Sequence, residues 1–186
     1  ADPVMLSGSF FDVDSNGFVD NATVAFSEVI QSDSSLEAVD FAVTGTDAVR
    51  LGAKAVLSPT FEGANTVQVA LSEGSTADTA LSGGISINYD ASAGDGDSLE
   101  DAAGNTAPDT STTLADRAAP VVTAANPANG GTVIGTRDTL SVTLSEAPTA
   151  GVTVTLEDSD KNDGAELSNA VTGEHVSVST NTIEID

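Results

Sequence analysis

The sequence predicts an all-β protein built as two tandem β-sandwich domains, and three observations support this prediction. Short runs of alternating apolar and polar residues recur along the 186 residues, with turn residues between them. Hydrophobic residues make up 39% of the chain but aromatic residues only 4%, which suits a thin β-sandwich better than a deep enzyme cleft. The same order of strands and loops also starts again near residue 120.

The first part of the chain contains the clearest strand patterns. Val4, Leu6 and Phe10 are expected to share one face of a first strand, and the apolar residues within 22–26 one face of a second. Further strands are predicted over residues 41–45, 49–57, 66–71 and 85–89, with a helical turn over residues 34–39 capped by Asp33 or Ser34, and a last edge strand within residues 106–117.

An internal repeat organises the chain into two domains. Pro120 followed by Val corresponds to Pro3 followed by Val, and Leu144 before Ser-Glu corresponds to Phe26 before Ser-Glu. We therefore predict one domain over residues 1–117 and a second over residues 118–186. Because Ile183 is the counterpart of Val67 by this spacing, the second domain is expected to lack the last strands of the first. Either the sequence is a fragment, or another chain supplies the missing strands.

The loop between the first two predicted strands has the spacing of a calcium-binding loop. Four side chains with ligand oxygens fall at relative positions 1, 3, 5 and 9, and a backbone carbonyl falls at position 7. Gly17 at position 6 permits a sharp turn. Position 12 holds Thr23 in place of the usual Glu, and both flanks are strands, so the loop is not an EF-hand. The alternative is an Asp/Asn/Gly-rich turn that binds nothing. The predicted Ca²⁺ ligands are Asp12, Asp14, Asn16, Asp20 and the carbonyl of Phe18.

Two other acidic stretches are weaker metal-site candidates. One contains Asp95, Asp97, Glu100 and Asp101 in a Gly/Ser-rich segment, for which a flexible acidic loop is the better interpretation. The other, over residues 158–166, offers Asp158, Asp160 and Asn162, but Lys161 interrupts it and its Gly falls one position late.

The charge balance and the missing residue types exclude several functions. Acidic residues number 29 against 5 basic ones, a net charge of −24, so nucleic acid and anionic membranes are not expected as partners. The same composition is typical of the solvated surface of a salt-tolerant protein. No apolar run approaches the length of a transmembrane segment, and without Cys there are no disulfides. The only histidine, His175, lies outside any recognisable catalytic pattern, so no enzymatic activity is predicted.

Several phrases of the sequence together resemble a known family. These are the Pro-Val starts, the Asp-rich loop, the Ala-Phe-Ser-Glu of residues 25–28, the Leu-Glu-Asp-Ala-Ala-Gly-Asn of residues 99–105 and the Asn-Pro-Ala-Asn-Gly-Gly of residues 126–131. The chain is similar to the bacterial and archaeal immunoglobulin-like (Ig-like) domains that occur in tandem in S-layer proteins and large surface adhesins. The resemblance implies tandem Ig-like β-sandwiches, the second incomplete, in a secreted cell-surface protein with bound Ca²⁺ and no catalysis.

The function implied by this resemblance is a structural component of an extracellular surface assembly of the S-layer kind. One alternative is a Ca²⁺-stiffened spacer or ligand-binding repeat of a large adhesin. Another is a filament subunit that assembles by β-strand complementation. The expected partners are further copies of the chain, neighbouring domains of the same surface protein and a cell-surface glycan.

Overall fold

The structure, a computed structural model, describes residues 1–31, 36–45, 56–63, 65–74, 84–93, 99–128, 139–148, 153–157, 168–171 and 176–185. These residues form β-strands and one 3₁₀ turn, Ala38–Asp40, which confirms the prediction of an all-β chain. Two compact units are present, Ala1–Ala119 and Pro120–Asp186, whereas the predicted boundary fell after residue 117. The described ranges contain no helix with the length and apolar character needed to span a bilayer.

A seven-stranded sheet dominates the first unit. Its strands follow the order β4-β7-β9-β1-β2-β6-β5, and β3 pairs with β8 in a separate two-stranded sheet. The strands are β1 Met5–Phe11, β2 Asn21–Phe26, β3 Ile30–Gln31, β4 Phe41–Thr44, β5 Val56–Gly63, β6 Thr66–Leu71, β7 Ser86–Tyr89, β8 Glu100–Asp101 and β9 Thr110–Asp116.

One hydrophobic cluster fills the first unit and shows that this sheet is curled. Phe41 on one outermost strand, β4, belongs to the cluster, and Val56 on the other, β5, packs against it. Residues of β4 and β5 also approach each other within 8 Å between Cα atoms. In a flat sheet, six strand spacings of ~4.8 Å would separate these two strands by roughly 29 Å. The sheet must therefore curl around the cluster. Within the cluster, the rings of Phe41 and Tyr89 pack with their centroids 5.5 Å apart.

The last strand of the first unit corrects one prediction. We predicted an edge strand within residues 106–117, but β9 lies inside the sheet, antiparallel to β7 and parallel to β1. The polar sequence of β9 is misleading, because Leu114 is its one buried residue and its remaining side chains are half-buried or exposed. Gly8 on β1 allows β9 to approach closely, since a Cβ atom there would lie 2.5 Å from Leu114 Cδ2 and 3.1 Å from the Thr23 carbonyl oxygen.

Other local predictions are confirmed or corrected by the pattern of burial. The apolar face of β2 is confirmed, because its alternate residues Ala22, Val24 and Phe26 are fully buried. The predicted common face of the first strand is wrong, because Leu6 is 64% exposed while Met5 and Phe10 are buried. The pairing of β1 with β2 shifts register between Met5 and Ser7, and this bulge reverses the alternation.

Two predicted elements lie only partly within the described residues. The 3₁₀ turn begins after Glu37, whose backbone N–H donates to Asp40 Oδ2 at 2.8 Å, and most of the predicted helical turn, with its caps Asp33 and Ser34, lies outside the described residues. Of the strand predicted over 49–57, only residues 56 and 57 are described, and they begin β5, Val56–Gly63; the rest of that prediction lies outside the described residues.

Strands β10 to β15 make up the described part of the second unit. Four of them form a sheet in the order β10-β11-β15-β14, and β12 pairs with β13. Ile183 and Ile185 on β15 are buried, β11 is half-buried throughout, and all five residues of β10 are exposed. The strands are β10 Val122–Asn126, β11 Leu140–Leu144, β12 Val154–Glu157, β13 Ser168–Val171, β14 Val176–Ser179 and β15 Thr182–Ile185.

The two units share the same hydrogen bonds at the start of their sheets. The Val4 N–H donates to Ser27 Oγ at 3.0 Å, and the Val121 N–H donates to Ser145 Oγ at 3.0 Å. A second matching pair of bonds follows in each unit. In the first unit, Asn65 donates from Nδ2 to the Phe26 carbonyl at 3.2 Å, and the Phe26 N–H donates back to the Asn65 carbonyl. In the second, Asn181 donates from Nδ2 to the Leu144 carbonyl at 2.8 Å, and the Leu144 N–H donates back to the Asn181 carbonyl.

Candidate metal centre

The predicted calcium loop is held at its base by the sheet. It leaves β1 after Phe11 and enters β2 at Asn21, so it joins two antiparallel strands as predicted. The Asp20 N–H donates to the Phe11 carbonyl at 3.1 Å, and the Leu71 N–H of β6 donates to the Asp20 carbonyl at 2.7 Å. Two neighbouring strands therefore fix the position of Asp20.

Backbone N–H groups turn the loop carboxylates inward. Asp12 accepts from the Gly17 N–H at 2.7 Å through Oδ2 and from the Asn16 N–H at 3.2 Å through Oδ1. Asp14 Oδ1 accepts from the same Asn16 N–H at 3.2 Å. Asp20 Oδ1 accepts from the Val13 N–H at 3.1 Å, which links the two ends of the loop. Such charge-assisted bonds orient each carboxylate without neutralising its charge.

The backbone of the loop uses the glycine that the sequence places at its turn. Gly17 has a φ of 93°, a conformation that other residues rarely adopt, and Ser15 also has a positive φ of 59°. Gly17 is buried, while Val19 beyond it is 1% exposed and belongs to the hydrophobic core. The loop is consequently anchored to the core at one end and open to solvent around Asp14.

Three carboxylates meet at a spacing that suits one hard cation. Oxygens of Asp12, Asp14 and Asp20 all lie within 4.8 Å of one another, with Asp12 and Asp20 half-buried and Asp14 exposed. Calcium takes oxygen ligands at roughly 2.3–2.6 Å, so two oxygens on opposite sides of one ion are up to about 5 Å apart. Carboxylate oxygens are also the ligand type that Ca²⁺ prefers. The three side chains are therefore close enough together to hold one metal ion between them.

Of the two other predicted ligands, the Asn16 side chain is turned away from the orientation that would bind a cation. The side chain of Asn16 turns its oxygen to the Phe18 N–H at 2.9 Å, and its amide nitrogen donates to Asp14 Oδ2 at 3.0 Å. To bind a cation, this amide would have to rotate so that its oxygen replaced its nitrogen near Asp14. Phe18 is half-buried and its backbone N–H closes this small turn.

Glu73 is a candidate site residue that the sequence analysis missed. The amide nitrogen of Asn16 donates to Glu73 Oε1 at 3.0 Å, which brings a fourth carboxylate to the loop from a point 57 residues along the chain. Glu73 follows β6, whose pairing with β2 brings Leu71 beside Asp20. The signal that could have found Glu73 is the register of β6 against β2, since no local spacing links Glu73 to the loop.

The other acidic candidates divide into described and undescribed residues. Asp101 is 7% exposed, and its carboxylate accepts from the N–H groups of Ala103 and Asn105, both at 2.8 Å, and from Asn105 Nδ2 at 2.6 Å. Through these hydrogen bonds, the Asp101 carboxylate closes the turn that follows it. Glu100 lies beside it on β8 and is exposed. Asp95, Asp97, the loop with Asp158, Asp160 and Asn162, and His175 lie outside the described residues.

An open depression of about 360 Å³ beside Tyr89 also contains two acids, Asp90 and Asp109. Asp90 Oδ1 accepts from the N–H and the hydroxyl of Ser92, at 2.9 and 2.8 Å, and these bonds lower the pKa of Asp90. Asp109 Oδ1 accepts from the Ala91 N–H at 3.0 Å. The hydroxyl of Tyr89 accepts from the Leu99 N–H at 2.7 Å, and burial raises the pKa of Tyr89. Both acids thus stabilise the turn after β7.

Comparison with protein-family models, curated proteins and solved structures finds no match to this chain. The geometry of the loop between β1 and β2, and not likeness to a known protein, therefore supports the functional assignment.

Proposed function

We propose that this chain is a structural segment of an extracellular surface assembly of the S-layer kind and that its loop over residues 12–20 binds Ca²⁺ as a structural ligand. The observation that carries the proposal is the convergence of the Asp12, Asp14 and Asp20 carboxylates within 4.8 Å. Their spacing along the chain matches positions 1, 3 and 9 of a calcium loop. Asn16 and the Phe18 carbonyl are the further ligands in this proposal, after rotation of the Asn16 amide, and Glu73 is an additional one.

The strand order supports an Ig-like sandwich as the fold of the first unit. An Ig-like domain has one sheet of strands A, B, E and D and a second sheet of strands C, F and G. The observed order β4-β7-β9-β1-β2-β6-β5 corresponds to C-F-G-A-B-E-D if the short strands β3 and β8 are set aside. The parallel contact between β1 and β9 then joins the two sheets through the first and last strands.

The charge of the chain supports a role for cations at the cell surface. With a net charge of −24, the folded chain repels itself, and bound divalent ions reduce this repulsion. Extracellular calcium sites of this loop type bind at ~10⁻⁴ to 10⁻³ M, so millimolar external calcium occupies them. We therefore propose a structural and not a catalytic role.

A second candidate function is a Ca²⁺-stiffened spacer or ligand-binding repeat of a large adhesin. The observation in its favour is the matching pair of hydrogen bonds in each unit, made by Ser27 and Asn65 in the first and by Ser145 and Asn181 in the second. Such a repeat is a unit from which long arrays are built. A spacer stays monomeric when it binds Ca²⁺, whereas a lattice component associates with other copies.

The test combines calcium titration calorimetry with size-exclusion chromatography of the whole chain. We expect saturable Ca²⁺ binding that Asp14→Asn weakens at least ~10-fold, because a calcium site loses affinity with each ligand charge removed. Asp2→Asn is the matched control, since Asp2 is exposed, carries the same charge and lies outside the loop. Calcium-dependent association would favour the surface assembly, and binding without association the spacer. The absence of saturable binding in the unmodified chain would overturn the calcium proposal.

A further inference from the structure

The loop over residues 12–20 contains an Asn-Gly step, a dipeptide that can react with itself. Asn16 is exposed, and Gly17 has no side chain to shield its backbone nitrogen. In such a step, the glycine nitrogen attacks the side-chain carbonyl carbon of the asparagine and closes a five-membered ring. Neighbouring groups that hold both partners and accept the proton accelerate a reaction of this kind. The hydrogen bonds of this loop supply such groups.

The proton on the attacking nitrogen faces a carboxylate. The Gly17 N–H donates to Asp12 Oδ2 at 2.7 Å. Because Gly17 is buried, this N–H is directed at Asp12 and not at water. The Asp12 carboxylate is therefore positioned to take up the proton as the nitrogen attacks. A positioned base typically accelerates a reaction by ~10²–10⁴-fold.

The carbonyl under attack is polarised by a backbone donor. Asn16 Oδ1 accepts from the Phe18 N–H at 2.9 Å. The ring that this hydrogen bond closes contains the Gly17 nitrogen, so the nitrogen and the side-chain carbon of Asn16 are kept close together. The same bond stabilises the negative charge that develops on Oδ1 during the attack.

The nitrogen that must leave lies between two carboxylates. Asn16 Nδ2 donates to Asp14 Oδ2 and to Glu73 Oε1, both at 3.0 Å. As the bond from carbon to Nδ2 breaks, this nitrogen gains a proton and positive charge develops on it. The two carboxylates stabilise that charge. Glu73 lies beyond β6, so the folded chain supplies a group that the loop sequence alone does not.

We propose that Asn16 is a site of self-catalysed deamidation. The Gly17 nitrogen bonds to Asn16 Cγ, its proton passes through Asp12 to the departing nitrogen, and the Cγ–Nδ2 bond breaks to release ammonia. Water then opens the resulting succinimide ring at either carbonyl and yields aspartate or isoaspartate. Each product carries one more negative charge, and isoaspartate also lengthens the backbone by one atom. The reaction needs no metal, so this proposal is independent of calcium binding.

The test follows the conversion of Asn16 in the whole folded chain, at neutral pH and with chelator, by peptide mapping with mass spectrometry. A synthetic peptide of residues 12–20 in the same buffer provides the rate without strands and without Glu73. We expect the folded chain to react at least ~10-fold faster than this peptide, as for a positioned base. The other Asn-Gly step of the chain, at Asn129, normalises the incubations.

A matched pair of variants tests the role of Asp12. Asp12→Asn keeps an acceptor for the Gly17 N–H but removes the base, so the rate at Asn16 should fall to that of the peptide. Asp109→Asn removes the same charge from another acid that accepts a single backbone N–H, and it should retain the rate of the unmodified chain.

A second variant keeps the test decisive. If Asp12→Asn does not fold, Glu73→Gln decides in its place, because Glu73 is exposed and its substitution leaves the core intact. Glu73→Gln should slow the reaction several-fold by removing one carboxylate from the leaving nitrogen. The proposal is overturned if Asn16 in the unmodified chain reacts no faster than in the peptide, or if the deciding variant reacts as fast as the unmodified chain. Because chelator is present throughout, neither result bears on calcium binding.

Discussion

At the scale of single residues, Asp101 shows how one carboxylate organises a turn. Its two oxygens accept three hydrogen bonds from Ala103 and Asn105 within four residues of the same chain. The side-chain hydrogen bond from Asn105, followed by the backbone bond from the same residue, lowers the pKa of Asp101 from its usual 3.8. The charged form is therefore favoured in the folded state.

The pH dependence of stability follows from this shift. Because the folded pKa of Asp101 lies below the unfolded value of 3.8, its contribution is fully present above pH 3.8 and is lost as the pH falls through the folded pKa. We expect Asp101→Asn to show a smaller loss of stability than the unmodified chain between pH 4 and pH 2. Urea unfolding midpoints across this range provide the measurement. Asp2→Asn should lose as much stability as the unmodified chain over this pH range. If the urea midpoint of Asp101→Asn falls with pH as steeply as that of the unmodified chain, the role given to Asp101 is contradicted.

Glu73 gives a second prediction at this scale. Glu73 meets the calcium loop through Asn16, so removing its charge should weaken Ca²⁺ binding several-fold, by the dependence of calcium affinity on ligand charge. We expect Glu73→Gln to raise the calcium dissociation constant in calorimetry, whereas Glu100→Gln, an exposed residue on β8, should not. If Glu73→Gln and Glu100→Gln have equal calcium dissociation constants, Glu73 is not part of the site.

At the scale of elements, the strands that could be predicted are those whose side chains alternate between core and solvent. Residues 66–71 were predicted as a strand and form β6 with alternating burial. The alternation of apolar and polar residues gave wrong predictions for two strands, β1 and β9. The bulge in β1 reverses its faces, and β9 is central despite a polar sequence because Leu114 alone reaches the core. In the candidate metal centre, local spacing located three of the carboxylates, but the position of Glu73 depends on sheet register, which cannot be read from the sequence.

The matched hydrogen bonds of the two units predict matched effects of mutation. Asn65→Ala removes the bond from Nδ2 to the Phe26 carbonyl, and Asn181→Ala removes its counterpart to the Leu144 carbonyl. Each change should destabilise its own unit by ~1 kcal/mol, the typical net contribution of one such bond. Hydrogen exchange monitored by mass spectrometry should show faster exchange of β2 amides in the first variant and of β11 amides in the second. Faster exchange across both units in either variant would mean that the units do not unfold separately.

At the scale of the whole molecule, the main feature is the surplus of negative charge. Acidic residues exceed basic ones by 24, so self-repulsion opposes compact packing, and salt should stabilise the chain by screening it. Calcium should act beyond this screening wherever it binds a site present only in the folded state.

A comparison at equal ionic strength separates the two effects. We expect CaCl₂ to raise the thermal midpoint more than NaCl, because a ligand at 100 times its dissociation constant adds ~2.7 kcal/mol to the free energy of unfolding. The extra stabilisation should disappear in Asp20→Asn, while the response to NaCl should remain. Equal responses of the unmodified chain to both salts would reduce the role of calcium to screening.

The parallel contact between β1 and β9 has a mechanical consequence for a protein under tension. The first unit begins with β1 and ends with β9, and the two strands pair side by side over Gly8–Phe10 and Leu114–Asp116. A pull on the two ends of this unit draws the strands past each other in opposite directions. Their hydrogen bonds are then loaded together in shear, whereas in a hairpin pulled apart from its open end they break one at a time. The unit is consequently built to resist stretching along its length, even though the sheet that holds it is thin.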